Sequence, residues 1–405
     1  MRIILTLATA AVCGAVLFLG QKPKETRKLR IAVCLLLCLV FSVLFILLSP
    51  EKDPWAKHLS KHRSLGVPYS EFFTDEQKSS RIADDLIIFD GRLYVGGGDY
   101  DKNTGPLPII SYDLEKGIWE SSDELIPDEQ IKRFTVLDER LVATGTDPKD
   151  DWELGNYYVF KDGKWETLRA LPNGVHCFDA IEFGGESFFA LGVTSPHFPV
   201  VRFDGENYVS VEFFRNGELL DTSSHETIRV YNLFEYMGEL YAFLTLDQTN
   251  ENGEKLYFMD LYVYDGKAFN YKSGRLPSFD MREVAVADEK IFFIIDGTLL
   301  SSRDLLGFSA VSLGEGASAV DITESDGEIY VLATKSNGDE KHLNAIFRLT
   351  SDGDFDIVLS FKTDIEAGAF CTDGNSFFVS LGRRESESQH ASVGQVIKIS
   401  AKADK

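Results

Sequence analysis

One pattern recurs seven times along this 405-residue chain, and it limits the folds open to it more than any other feature. An apolar strand ends in a two-residue turn rich in Asp and Gly, and a strand with an aromatic or apolar pair follows. Phe89-Asp-Gly-Arg-Leu-Tyr-Val95 is the first copy, and Ser325-Asp-Gly-Glu-Ile-Tyr-Val331 and Thr372-Asp-Gly-Asn-Ser-Phe-Phe378 are the last two. The second turn residue falls at 91, 139, 185, 238, 289, 327 and 374, so successive gaps are 48, 46, 53, 51, 38 and 47. Asp-Gly between apolar strands signals a hairpin, because such turns need positive φ, which Gly tolerates. Many units carry a second hairpin, as in Phe160-Lys-Asp-Gly-Lys-Trp165 and Tyr264-Asp-Gly-Lys-Ala-Phe269. Two hairpins per period of about 47 residues make a four-stranded blade, and blades bury their sheet faces only by stacking around an axis. The expected fold class is all-β: a β-propeller of about seven four-stranded blades over residues 66–405, preceded by two transmembrane helices.

Residues 3–20 and 31–49 are apolar runs close to the roughly 20 residues that cross a bilayer as a helix. Five Lys and Arg lie between them in residues 21–30. The expected organisation is therefore a membrane segment over 1–50, a juxtamembrane linker over 51–65 and the propeller. The positive-inside tendency puts the basic loop in the cytoplasm, which places the propeller outside the cell membrane, extracytoplasmic. His58 and His62, four residues apart in the linker, read as a solvated helix face.

The first two units resemble Kelch repeats. Unit one has Gly96-Gly97-Gly98 after Tyr94 and Val95, then Tyr112, then Trp119 seven residues on; unit two has Gly145, Tyr158 and Trp165. The resemblance covers about 120 residues for the motif and about 340 for the fold. It implies a propeller with a binding role and implies no particular substrate.

Residues 1–63 hold ten of the 41 Lys and Arg but three of the 64 Asp and Glu, so the remainder carries 31 basic against 61 acidic residues, a net of −30. A domain so acidic repels nucleic acid, and no nucleic-acid partner is expected. Cys177 and Cys371 fall four blades apart and are expected as free, buried thiols. Asp99-Tyr-Asp-Lys-Asn103 alternates oxygen donors as a calcium loop does, but Gly105 comes one place late and Ile110 stands where Glu belongs, so it reads as a polar turn. Residues 302–307 read as an ordinary outer hairpin. No phosphate loop, nucleophile elbow or paired metal-binding cysteines appear, so no cofactor, metal or catalytic residue is assigned.

Within each blade the first hairpin turn is tight and the next connection long and polar, so binding is expected on the long-loop face. The starts of the innermost strands on that face hold Arg81, Arg133, His176, Arg229 and Arg282, against Ser318 and Glu366 in the last two blades. Five basic side chains around the axis of an acidic domain would suit an anionic ligand, because Arg grips carboxylate and phosphate bidentately. The expected partners are a protein or an anionic glycan at the long-loop face, with the membrane contacted through the N-terminal helices. The expected function is a membrane-tethered binding or scaffold propeller; the alternative is an envelope polysaccharide hydrolase or lyase with its site at the central mouth. The alternative for the basic residues is pairing with acidic neighbours. For ring closure, the last unit lacks a fourth strand, and residues 67–73 are expected to supply it from the front of the chain.

Overall fold

A computed structural model describes residues 53–99, 102–149, 152–250, 252–276, 284–287, 289–336, 341–351, 353–383 and 390–401. One compact unit spans His58–Lys405, and the rest belongs to a unit spanning Met1–Lys57. Among the described residues of the larger unit, strands pair into seven four-stranded blades. Blade one is Asp85–Phe89, Arg92–Gly96, Ile110–Asp113 and Ile118–Ser121. Blade two is Asp128–Leu137, Arg140–Pro148, Leu154–Lys161 and Lys164–Pro172; blade three is His176–Phe183, Glu186–Val193, Val200–Phe203 and Tyr208–Ser210. Blade four is Ile228–Tyr236, Glu239–Thr249, Lys255–Tyr264 and Phe269–Leu276. Blade five is Val284–Ala287, Lys290–Ile295, Thr298–Ser302 and Ser309–Ala310; blade six is Ser318–Ser325, Glu328–Ser336, His342–Leu349 and Phe355–Thr363. Blade seven takes Ala367–Thr372, Ser376–Leu381 and Val396–Ser400 from the end of the chain and His62–Gly66 from its front.

The turns form where the repeat put them. Leu137 pairs with Arg140 and Tyr236 with Glu239, leaving two-residue turns whose members all have positive φ: Asp138 48°, Glu139 59°, Met237 52° and Gly238 78°. The short gap of 38 residues has its cause in blade five. Ile295 pairs with Thr298, so the connection after its second strand is two residues rather than a long loop. Aromatic and branched side chains fill the spaces between blades; Phe188, Phe189, Phe213, Phe243, Phe293 and Phe361 are all buried. Each such burial is worth about 1.5–3 kcal/mol. Cys177 and Cys371 are buried, unbridged thiols.

Three expectations need correction. The described fold is an all-β propeller, and the two transmembrane helices expected before it are not supported. No helix among the described residues is long and apolar enough to cross a membrane. Its helices are short 3-10 pieces, Pro54–His58, Pro68–Glu71 and Asp75–Arg81, far below the roughly 20 residues a crossing needs. Residues 3–20 and 31–49 lie outside the described residues.

Ring closure does use the front of the chain, but through His62–Gly66 rather than residues 67–73. His62 lies opposite Ile399 and Ser64 opposite Ile397. Gln395 donates to Ser64 Oγ at 2.8 Å, and the Trp119 indole of blade one donates to the Leu65 carbonyl at 2.7 Å. Part of the expected 51–65 linker is therefore blade. Pro68 begins a 3-10 turn instead of a strand, since proline lacks the N–H that a ladder needs. That turn drives Tyr69 under blade one, where its hydroxyl donates to the Val95 carbonyl at 3.0 Å. The ring passes so close that a Cβ on Gly97 would lie 2.5 Å from it. This is the physical requirement behind the glycine at 97.

His62, finally, is in a strand, with Nε2 3.1 Å from the Lys362 carbonyl, so it does not share a helix face with His58.

Candidate functional site

The innermost strands begin at the long-loop end, and blades two to four are linked there. His176 opposes Thr146 of blade two as well as Gly192 of its own blade, and Gly192 in turn opposes Arg229 of blade four. Most innermost strands carry a bulge near this end, as between Ile131 and Arg133 and between Val230 and Leu233. A bulge frees a backbone N–H from the ladder. In three places a buried Asp of the preceding blade accepts it. Asp85 takes the N–H of Phe134 at 2.6 Å, Asp179 that of Leu233 at 2.9 Å and Asp321 that of Phe370 at 3.0 Å. Each Asp stands six residues before the second turn residue of its blade, a spacing the repeat contains and the sequence reading passed over.

Arg133 occupies that same position in blade two. Its guanidinium lies 2.9 Å from the Asp179 carboxylate of blade three, where it ties adjacent blades together. Arg81 ends the 3-10 helix Asp75–Arg81, donates through Nε to the Phe73 carbonyl at 3.1 Å and sits 3.2 Å from Asp75. Arg282 lies outside the described residues. The structure thus brings together two of the five expected residues, His176 and Arg229, and adds Lys132.

His176 stacks on Phe178, centroids 5.4 Å apart with 18° between planes, and Phe178 packs on Tyr231 of blade four at 4.6 Å. Arg229 lies 5.9 Å over the Phe178 ring and donates to the Tyr231 hydroxyl at 3.0 Å. Burial, and the positive charges of Arg229 and Lys132, push the His176 imidazole down to about 3, so it is neutral at pH 7. Its Nδ1 is 3.2 Å from the Asp147 carboxylate. Lys132 is 3.8 Å from Asp84, whose carboxylate also accepts from the Gln130 amide. Across the mouth, Arg383 lies 3.5 Å from the buried Glu366. The result is a partly exposed cluster of Lys132, His176 and Arg229 around the buried Phe178 and Tyr231, on blades two to four. Among the described residues no group of His, Cys, Asp or Glu is placed to hold a metal.

Behind this patch, the fully buried Asp128 accepts from Tyr158 Oη and, at 3.4 Å, from Asn156. Burial pushes it up to about 7. A Cβ on Gly145 would fall 2.0 Å from its carboxylate oxygen, so the glycine of the second Kelch-like unit is what lets Asp128 reach Tyr158.

No protein-family model matches the chain, and no curated protein does. Solved structures match it in fold. Virginiamycin B lyase from Staphylococcus aureus aligns with a TM-score of 0.51 and 13% identity, over 84% of this chain and 99% of that one. BamB from Moraxella catarrhalis aligns at 0.40 and 10% identity over 79% and 85%, and BBS1N in complex with ARL6DN at 0.47 and 10% over 85% and 98%. At these identities the likeness is one of fold: the chain is built as a β-propeller, and the Kelch-like residues of its first two blades are carried by no family match.

Proposed function

We propose that this propeller is a binding module whose long-loop mouth, at blades two to four, takes an anionic ligand such as an acidic glycan. The observation that carries the reading is the convergence of Lys132, His176 and Arg229 on the Phe178–Tyr231 platform, in a domain whose net charge is strongly negative. Positive charge concentrated at a cleft of an acidic domain attracts anions locally while the rest of the surface repels them. An Arg held on an aromatic platform offers a sugar acid a bidentate carboxylate partner. Isothermal titration of the His58–Lys405 unit with oligogalacturonate tests the reading. Saturable binding should weaken about ten-fold or more in Lys132→Ala with Arg229→Ala, and should fall as salt rises. No binding, or equal binding by the double variant, would sink it.

One observation favours a second reading, catalysis at the same mouth. A neutral imidazole beside a carboxylate is the arrangement of a general base. Release of new reducing ends or unsaturated products from the bound glycan, lost in His176→Gln, would decide for it.

A further inference from the structure

A second binding place lies on the outer rim, and the molecule itself shows how it is filled. The outermost strands differ in length. Those of blades one, three and five have four, three and two residues, whereas those of blades two, four and six have nine, eight and nine. A long unpaired edge presents a row of backbone N–H and C=O groups to any extended chain. On blades four and six the protein covers that edge with a segment of its own, and both segments run parallel to it. Phe213–Arg215 pairs along blade four, with Phe213 opposite Phe269 and the Phe269 N–H donating to the Glu212 carbonyl at 2.9 Å. On blade six, Leu59 bridges to Ser360, and the Ser60 N–H donates to the Ser360 carbonyl at 2.7 Å.

Blade two has no such segment among the described residues: its outer strand Lys164–Pro172 pairs on one side only. Beside it is an open cleft of about 660 Å³, lined by Asp123 and Glu124 from the blade one to two connection and by Lys161 through Thr167 from blade two. The correspondence with blade four is positional. Trp165 pairs across its hairpin with Phe160 as Phe269 does with Tyr264, so Trp165 stands where Phe269 stands. In blade four the Phe213 ring lies stacked on Phe269 at 4.9 Å and 14°. The covering segment there comes from the 211–227 connection. The corresponding connection into blade two is only 122–127, too short to turn back along the edge.

We infer that the cleft beside Trp165 receives an extended segment of another polypeptide, which adds a parallel fifth strand to blade two and stacks a large apolar or aromatic residue on Trp165. Strand addition takes affinity from main-chain hydrogen bonds and specificity from alternate side chains. The lining selects basic flanks: Asp123, Glu124, Asp162 and Glu166 outnumber Lys161 and Lys164, and all six are exposed. This place is separate from the mouth, so either can fail alone.

Fluorescence anisotropy with a labelled synthetic peptide, a Phe-Phe-Arg core between lysines, tests the inference on the intact chain. Saturable binding is expected, weaker by about ten-fold or more for the peptide with Ala-Ala in place of Phe-Phe, and for Trp165→Ala. Because Trp165 also packs on Tyr94 and Phe160, the surface variant Asp123→Lys with Glu124→Lys serves as the second arm and should weaken binding similarly. Equal binding of the two peptides, or undiminished binding by both variants, overturns the proposal. So does a concentration-dependent dimer abolished by the surface variant, which would give the cleft to a second copy of this chain.

Discussion

Blades two and three each bury a carboxylate on the innermost strand, and the two are held in opposite ways. Asp179 of blade three faces the guanidinium of Arg133 and accepts the bulge N–H of Leu233, so it has a cationic partner and a backbone donor. Asp128 of blade two has the same burial but neutral donors, Tyr158 and Asn156, with Asp147 adding negative potential; it is pushed up to about 7. Neutral donors do not offset the burial of Asp128. Asp179 ties blade three to both of its neighbours, whereas Asp128 stays inside its own blade and makes that blade sensitive to protons.

The comparison breaks most severely at Asp179. Asp179→Ala takes the carboxylate away from Arg133 and strips the Leu233 N–H of its acceptor. Removing one member of a buried pair costs about 3–5 kcal/mol. Urea denaturation of the propeller should show a loss of that size, and a change under about 1 kcal/mol would mean the tie is idle.

A smaller and pH-dependent effect is expected at Asp128. Its folded pKa lies above the unfolded carboxylate value near 4, so between about pH 4 and 7 the native state holds a proton that the unfolded chain has released. Stability from this group is complete below about pH 4, falls as pH rises through 7 and is flat above. Asp128→Asn, which keeps the shape of the protonated form, should remove that slope. The variant should match wild type at pH 4 and exceed it at pH 8 by on the order of 2–4 kcal/mol. His176 contributes the opposite slope. Its folded pKa is depressed, so its contribution is present above about 6.5 and lost on acidification. In the Asp128→Asn protein the acid side of the profile should therefore steepen. Parallel stability profiles for wild type and variant between pH 4 and 8 would refute the assignment.

The smallest effect separates blade two's hairpin from its buried acid. Glu139 sits at φ 59° in the second turn position, where Gly91, Gly185, Gly238, Gly327 and Gly374 stand in other blades. Glu139→Gly relieves a left-handed non-glycine residue and should raise stability by about 0.5–1 kcal/mol, with the pH slope of Asp128 untouched. A loss of stability would show that the side chain holds the turn.

The repeat carried much of this into view before any coordinates. Seven turn positions located the first hairpin of each blade, while the short gap of 38 found its cause only in blade five's two-residue second connection. Less of the site could be read. Arg133 and Arg229 look alike in sequence, each near the start of an innermost strand, yet one is spent between blades and the other reaches the mouth. The difference is a bulge of one residue, which rotates every later side chain to the other face of the strand. Lys132 was invisible for the same reason. The buried aspartates were legible in principle, six residues before the second turn residue of blades one, three and six, because a bulge in the next blade frees an N–H that needs an acceptor.

The sequence by itself determined the local structure: hairpins at Asp-Gly and Gly-Gly turns, strands from alternating apolar residues, and the number of blades from the number of repeats. These follow from backbone sterics and from burying one face at a time, and they act over a few residues. Only the tertiary structure decided which chain segments cover the sheet edges. His62–Gly66 rather than 67–73 closes the ring, Phe213–Arg215 lies along blade four, and blade two is left with an open cleft beside Trp165. Those choices pair residues up to 337 positions apart, as His62 and Ile399 are. No local preference encodes such a pairing; connection length and the space left between blades select it.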